Sequence, residues 1–479
     1  MIKDQRKSNL WLLIVLLAVV LAACSPAAGT ADPAGLAATA TGVRETTTLS
    51  EPTEEVEEAP AGTPEDVAEP AVTEGPEAAV EVENEPAGND ADTAKAEAAD
   101  SEEEVYSADS AEVAKAETAG NGQVILTDDS RTDVMKQITT DWNTDWKRHT
   151  IPYDELVPVL RRDGIRSLDE PTFQNLEEAS GWLTERDPVM VVALEGEARA
   201  YPLRILTAHE IVNDKIGDIP VVITYCPLCN SALVFDARFD GHELAFGTSG
   251  WLRNSDLVMY DRTTDSLWQQ FTGEGIVGEY AGEQLTFLAS SLVSFADFQA
   301  AFPEGQVLSN DTGFPFPYNL ASYSGYDSSG SDPFLFFDAP DRRLPVMERV
   351  VSVSLDNTDI AYPVTDLAKV GVINDSQDGQ DLVLFHSTGT TSAFFNPITN
   401  EFGDVGATGI FDPNLNGELL TFLLVGEEIQ DEQTGSTWNV LGQATGGPLA
   451  GESLRPIVHG DHFWFSWAAF KPDTLIYGS

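Results

Sequence analysis

Val221-Val222-Ile223-Thr224-Tyr225-Cys226-Pro227-Leu228-Cys229-Asn230 is a β-branched, apolar run that ends abruptly in two thiols and polar turn residues. The run reads as a strand and its end as a tight turn. Two sulfurs three positions apart can face one point. Such a pair can share a metal ion, close a small disulfide, or cycle between thiol and disulfide.

The flanking sequence sets the fold around that strand. Residues 189–194, Glu195-Gly196-Glu197 and residues 198–202 read as strand, turn and strand. Residues 203–212 carry apolar positions at helical spacing, stopped by Asn213-Asp214 with Gly217 behind. Beyond the cysteines, residues 233–235 and 244–246 flank Asp240-Gly241 as a hairpin, and Gly247-Thr248-Ser249-Gly250 and Arg253-Asn254-Ser255-Asp256 are loop-like. Short strands then alternate with Gly turns as far as Pro303. Upstream, residues 154–160 and 170–182 show short helical patterns. The expected fold class is mainly β (α+β), with a few short helices.

Laying the stretch from Leu183 onto the one from Leu344 shows an internal repeat. Val189 falls on Val350, Ala200-Tyr201-Pro202 on Ala361-Tyr362-Pro363, and Asn213-Asp214 on Asn374-Asp375. Past an insertion in the second copy, Asp261, Thr264, Ser266 and Trp268 fall on Asp431, Thr434, Ser436 and Trp438. What both copies keep is what the scaffold requires. The second copy replaces Arg204 by Thr365, His209 by Val370, Glu210 by Gly371, Cys226 by Ser387 and Cys229 by Thr390. Reactive groups lost together point to one site, and their loss weakens the reading of the cysteines as a staple the fold needs.

The rest of the chain places these repeats in the cell. Lys3, Arg6 and Lys7 precede an apolar run over residues 10–20, and Leu21-Ala22-Ala23-Cys24 reads as a lipobox. Cleavage would leave Cys24 as a lipid-modified first residue. The protein is therefore expected to be exported and lipid-anchored to the cell envelope, with the membrane as partner. Residues 25–120 hold 25 acidic residues against three basic ones and almost no aromatics, the composition of a disordered tether. The net charge of −53 over 479 residues argues against nucleic acid, which requires a basic patch. The organisation expected is a signal peptide over 1–24, an acidic linker over 25–121 and a helical lead-in over 122–182. The first repeat then spans 183–303, a connection 304–343, and the degenerate repeat 344–479.

Ala200-Tyr201-Pro202-Leu203-Arg204-Ile205-Leu206, His209-Glu210-Ile211-Val212-Asn213-Asp214, Tyr225-Cys226-Pro227-Leu228-Cys229, the stretch from Gly250-Trp251-Leu252-Arg253-Asn254-Ser255-Asp256 to Asp261-Arg262, and Thr264-Asp265-Ser266-Leu267-Trp268-Gln269-Gln270 resemble the DUF3179 family of bacterial and archaeal proteins. The resemblance runs from about Asp163 to Leu308 and implies no activity, since the family is named for lacking one.

Three functional readings follow from the residues. The first is a zinc or copper site, with Cys226 and Cys229 as ligands, His209 as the third and Glu210 or His242 as a possible fourth. A second is thiol-disulfide exchange through Cys226 and Cys229 on a scaffold other than thioredoxin's, because strand and turn rather than a helix follow the motif. The third is a surface binding module whose groove draws on Arg204, Arg253, Asn254, Asp256, Asp261 and Arg262.

Overall fold

The computed structural model of the chain describes residues 116–118, 123–319, 323–328, 330–394 and 403–479. Cys24, the leader and the acidic stretch as far as residue 115 lie outside the described residues. Ala116–Thr118, at the end of the stretch assigned to the tether, pairs antiparallel with Val124–Leu126. Among the described residues no helix is long and apolar enough to cross a membrane.

The architecture is mainly β, with a few short helices. In the first unit Pro188–Leu194, apolar almost throughout, pairs with Glu197–Pro202 across Glu195 and Gly196, both at positive φ, as a two-residue hairpin requires. Leu203–His209 is a helix of only seven residues. It stops at Glu210, not at Asn213-Asp214, because Ile211–Ile216 is already a strand paired with Ile219–Cys226. The apolar periodicity of residues 203–212 thus mixes one helix face with the start of a buried strand. In the lead-in, residues 154–160 form a single 3-10 turn and then a short edge strand, Val157–Pro158, rather than a helix.

Three sheets result. One runs Ser291–Ser294, Pro188–Leu194, Glu197–Pro202, Gln306–Leu308, Phe173–Gln174. A second runs Phe287–Leu288, Ser231–Asp236, Ile219–Cys226, Ile211–Ile216. The third runs Gly275–Val277, Leu267–Gln269, Asp256–Asp261, Phe246–Arg253, Val157–Pro158. The same pairing order recurs between Arg349 and Ile476, without the two strands contributed by the lead-in. Gln306–Leu308, just past Pro303, closes the first sheet in parallel with Glu197–Pro202, as Leu475–Ile476 does beside Asp359–Pro363.

The residues shared by the two stretches do the same work in each. Tyr201 donates to Asp214 (2.6 Å) and Tyr362 to Asp375 (2.8 Å). Asn213 bonds both backbone groups of Phe246, and Asn374 both of Phe422. The indole N–H of Trp268 donates to Asp261 (2.9 Å), that of Trp438 to Asp431 (3.0 Å). The Tyr–Asp and Asn–Phe ties fix how one sheet meets the next, and the Trp–Asp tie joins neighbouring strands within the third.

The two units pack reciprocally. Ser291–Ser294 of the first lies against Ala407–Asp412 of the second, and the counterpart Gly460–Phe463 lies against Ser231–Asp236. One continuous core accordingly contains Cys226, Leu228 and Cys229 together with Phe394, Phe463 and Phe465.

Candidate functional site

Ile219–Cys226 and Ser231–Asp236 are joined by a loop whose bonds are local: Cys229 N–H donates to Cys226 O (3.2 Å) and Asn230 N–H to Pro227 O (3.3 Å). Asn230 takes the left-handed conformation that ends the turn. This winding brings both thiols inward, 2% and 0% exposed, unbonded to each other.

A second hairpin meets them. Phe246–Arg253 turns into Asp256–Asp261 through Asn254 and Ser255, both at positive φ, and the turn delivers Asp256 into the interior. Cys226 Sγ lies 3.7 Å from the Ser255 carbonyl. The Asp256 carboxylate accepts from the Gln269 amide (2.7 Å) and the Phe271 N–H (3.0 Å) through Oδ2, while Oδ1 is buried with no donor. Ligand atoms of Cys226, Cys229 and Asp256 all lie within 4.8 Å of one another.

Glu210 adjoins this group. It caps the helix Leu203–His209 at φ 60°, ψ −32°, a conformation poorly tolerated by a residue with a Cβ. Burial, with a further push from Asp256, raises its carboxyl to about 8. Burial also raises Asp256 to about 7 and both thiols above their ordinary value. Every acid here is held toward its neutral form because water has been removed and no cation put in its place.

The cover comes from elsewhere in the chain. Tyr326 donates to Leu228 O (3.0 Å) and accepts from Phe334 N–H, and Ser255 donates to Phe334 O. The Tyr323 phenol is pushed up by burial and then by the charges of Glu210 and Cys226. From the second unit, Phe463 N–H (2.9 Å) and the Ser466 hydroxyl (3.3 Å) both donate to Cys229 O.

His209 is not in the group. Its Nδ1 donates to Arg166 O (2.6 Å) and its Nε2 accepts from the Tyr318 hydroxyl (2.6 Å), so neither nitrogen is free for a metal. The helix ends between the two residues: His209 is held by Arg166 and Tyr318, while the Glu210 carboxyl is near enough to Cys226 to push its thiol up. His242 stands exposed on the small hairpin of Arg238–Phe239 and His242–Glu243. Nor do the groove candidates converge. Arg204 pairs with Asp187, Arg253 with Glu155 (2.6 Å), and Arg262 with Asp163 (3.2 Å). Asp261 serves the Trp268 tie, and Asn254 forms the hairpin tip. Of that set Asp256 alone reaches the thiols.

The family model described as "Protein of unknown function (DUF3179)" matches residues 162–474. The chain belongs to the DUF3179 family. The match runs through both units, well past the Leu308 limit of the motif resemblance, so the DUF3179 module is the whole reciprocal pair. Searches of curated proteins and of solved structures gave no match.

Proposed function

We propose that this DUF3179 protein is an envelope lipoprotein, anchored through Cys24, that binds one metal ion between Cys226, Cys229 and Asp256. The observation that carries the reading is the buried Asp256 carboxylate, which has one oxygen without a donor and two thiols within 4.8 Å. A buried acceptor left unsatisfied costs about 1–3 kcal/mol. A dication would satisfy it and favour deprotonation of all three ligands.

The donor set bears on the choice between zinc and copper. Two thiolates suit either, but a carboxylate oxygen in place of imidazole shifts the preference from copper(I) toward zinc. Three protein ligands leave a fourth position. Glu210 can fill it, or hold a proton at neutral pH for a molecule that does, because its carboxyl is raised to about 8. A bound zinc ion would supply Lewis-acid polarisation at that position.

Thiol exchange has less support, since an exchanging thiol needs access and a lowered pKa, and these thiols have neither. The test is elemental analysis of the full-length protein, loaded with zinc under reducing conditions and dialysed. Wild type is expected to retain one equivalent more than Cys226→Ser and one more than Asp256→Asn. Wild-type protein that retains no more zinc than Cys226→Ser would sink the reading.

A further inference from the structure

We propose that His459 and His462 form a second metal site, of the imidazole-preferring copper or zinc class, in the cleft between the two units. The cleft has a volume of about 530 Å³ and is lined by Arg253, Phe271 and Thr272 of the first unit and by His459, His462 and Trp467 of the second. Both histidines are buried, 5% and 2% exposed.

Each ring has a buried nitrogen without a partner. His459 Nδ1 lies 2.8 Å from Ile457 O, and a carbonyl can only accept, so the proton is on Nδ1 and Nε2 carries a bare lone pair. That Nε2 is buried with no donor, and so is Nδ1 of His462. A backbone carbonyl that fixes one nitrogen and frees the other is how metal-binding imidazoles are oriented. The His462 ring is clamped between Phe271 (4.4 Å) and Trp467 (5.7 Å). Of the other buried histidines, His149 and His209 each engage both nitrogens.

The fold does not ask for these rings. Strand pairing puts His462 opposite Val350 in the second unit where Val293 sits opposite Val189 in the first, and by the same register His459 takes the place of Ser290. The first unit has thiols that the second lacks, and the second has imidazoles that the first lacks. Both sets lie where the units meet: Phe463, next to His462, holds the Cys229 carbonyl.

The experiment uses untagged full-length protein carrying Cys226→Ser, Cys229→Ser and Asp256→Asn, titrated with zinc and, separately, with copper(II) against a chelator of known affinity. One equivalent of at least one metal should remain. Adding His459→Ser and His462→Val, the first unit's own residues, should weaken binding at least tenfold without lowering the unfolding midpoint, whereas His242→Gln should change nothing. Equal binding with and without the histidine pair overturns the proposal, as does no binding at all by the triple variant. If the triple variant does not fold, the electron paramagnetic resonance spectrum of copper(II)-loaded wild type decides. Hyperfine coupling to two imidazole nitrogens, lost in His462→Val, supports the site, and its absence refutes it.

Discussion

At φ 60° Glu210 occupies a conformation that its counterpart Gly371 reaches at φ 72° with no Cβ to strain. The surrounding bonds are the same in both, from the residue's N–H to Leu206 or Leu367 and from Tyr225 or His386 to its carbonyl. A strained, buried acid where glycine would do is a stability cost. Glu210→Gly should therefore stabilise the metal-free fold by about 1–2 kcal/mol in urea unfolding while weakening zinc retention. An unchanged or lower unfolding midpoint would contradict this. The acids also set a pH dependence. In the metal-free fold Asp256 and Glu210 keep their protons up to about 7 and about 8, against ordinary values of 3.8 and 4.5. Between those limits the folded state binds more protons than the unfolded chain. Stability of the metal-free protein should accordingly fall as pH rises from about 4 to about 8, by at most about 1.4 kcal/mol per pH unit for each group. Zinc affinity should move the opposite way, rising with pH as protons are released. Chemical unfolding at pH 5 and pH 8, with and without zinc, checks both signs.

At the scale of elements, the hairpin that carries Asp256 separates the two units most clearly. Phe246–Arg253 and Asp256–Asp261 form a long hairpin steadied by the edge strand Val157–Pro158, whereas Phe422–Val425 and Glu428–Asp431 form a short one with no such partner. The extension lifts Asp256 to the thiols. Both hairpins are nevertheless anchored by one device, the Asn213 or Asn374 amide bonded to both backbone groups of the first phenylalanine. Asn374→Ala should destabilise the protein by about 1–3 kcal/mol, because it strips two partly buried backbone groups of their partner. Zinc stoichiometry should stay at the wild-type value. Loss of metal in that variant would show that the site depends on the second unit's sheets more than the contacts at Cys229 suggest.

For the molecule as a whole, the reciprocal packing resembles a two-fold dimer interface folded into one chain. Cysteine-bearing and phenylalanine-bearing elements from opposite units share a core, and Phe271 of the first unit packs among Val350, Trp464 and Trp467 of the second. Neither unit keeps its apolar surface covered alone. Full-length protein should unfold in a single transition when tryptophan fluorescence and far-UV circular dichroism are followed together. Two resolved transitions would show that the units are independent domains.

Strand texture, the Cys-Pro-Leu-Cys turn and the match between Leu183 and Leu344 were legible in the sequence because alternation, turn chemistry and duplication are local or periodic signals. Tyr201 and Trp268 were assigned to the scaffold from their retention in both stretches, whereas Asp261, read as a groove residue, serves the Trp268 tie, and Asn213, read as a helix stop, anchors Phe246. The end of the helix after His209 was not legible. A buried strand start and a helix face have the same apolar texture over residues 209–212, and the preference of thiolate sites for an imidazole partner put His209 ahead of Glu210. Asp256 reaches the thiols, and Phe463 and Ser466 the Cys229 carbonyl, from distant parts of the chain. Only the tertiary structure could bring them together, since pairing across sheets and between the units leaves no mark in local sequence.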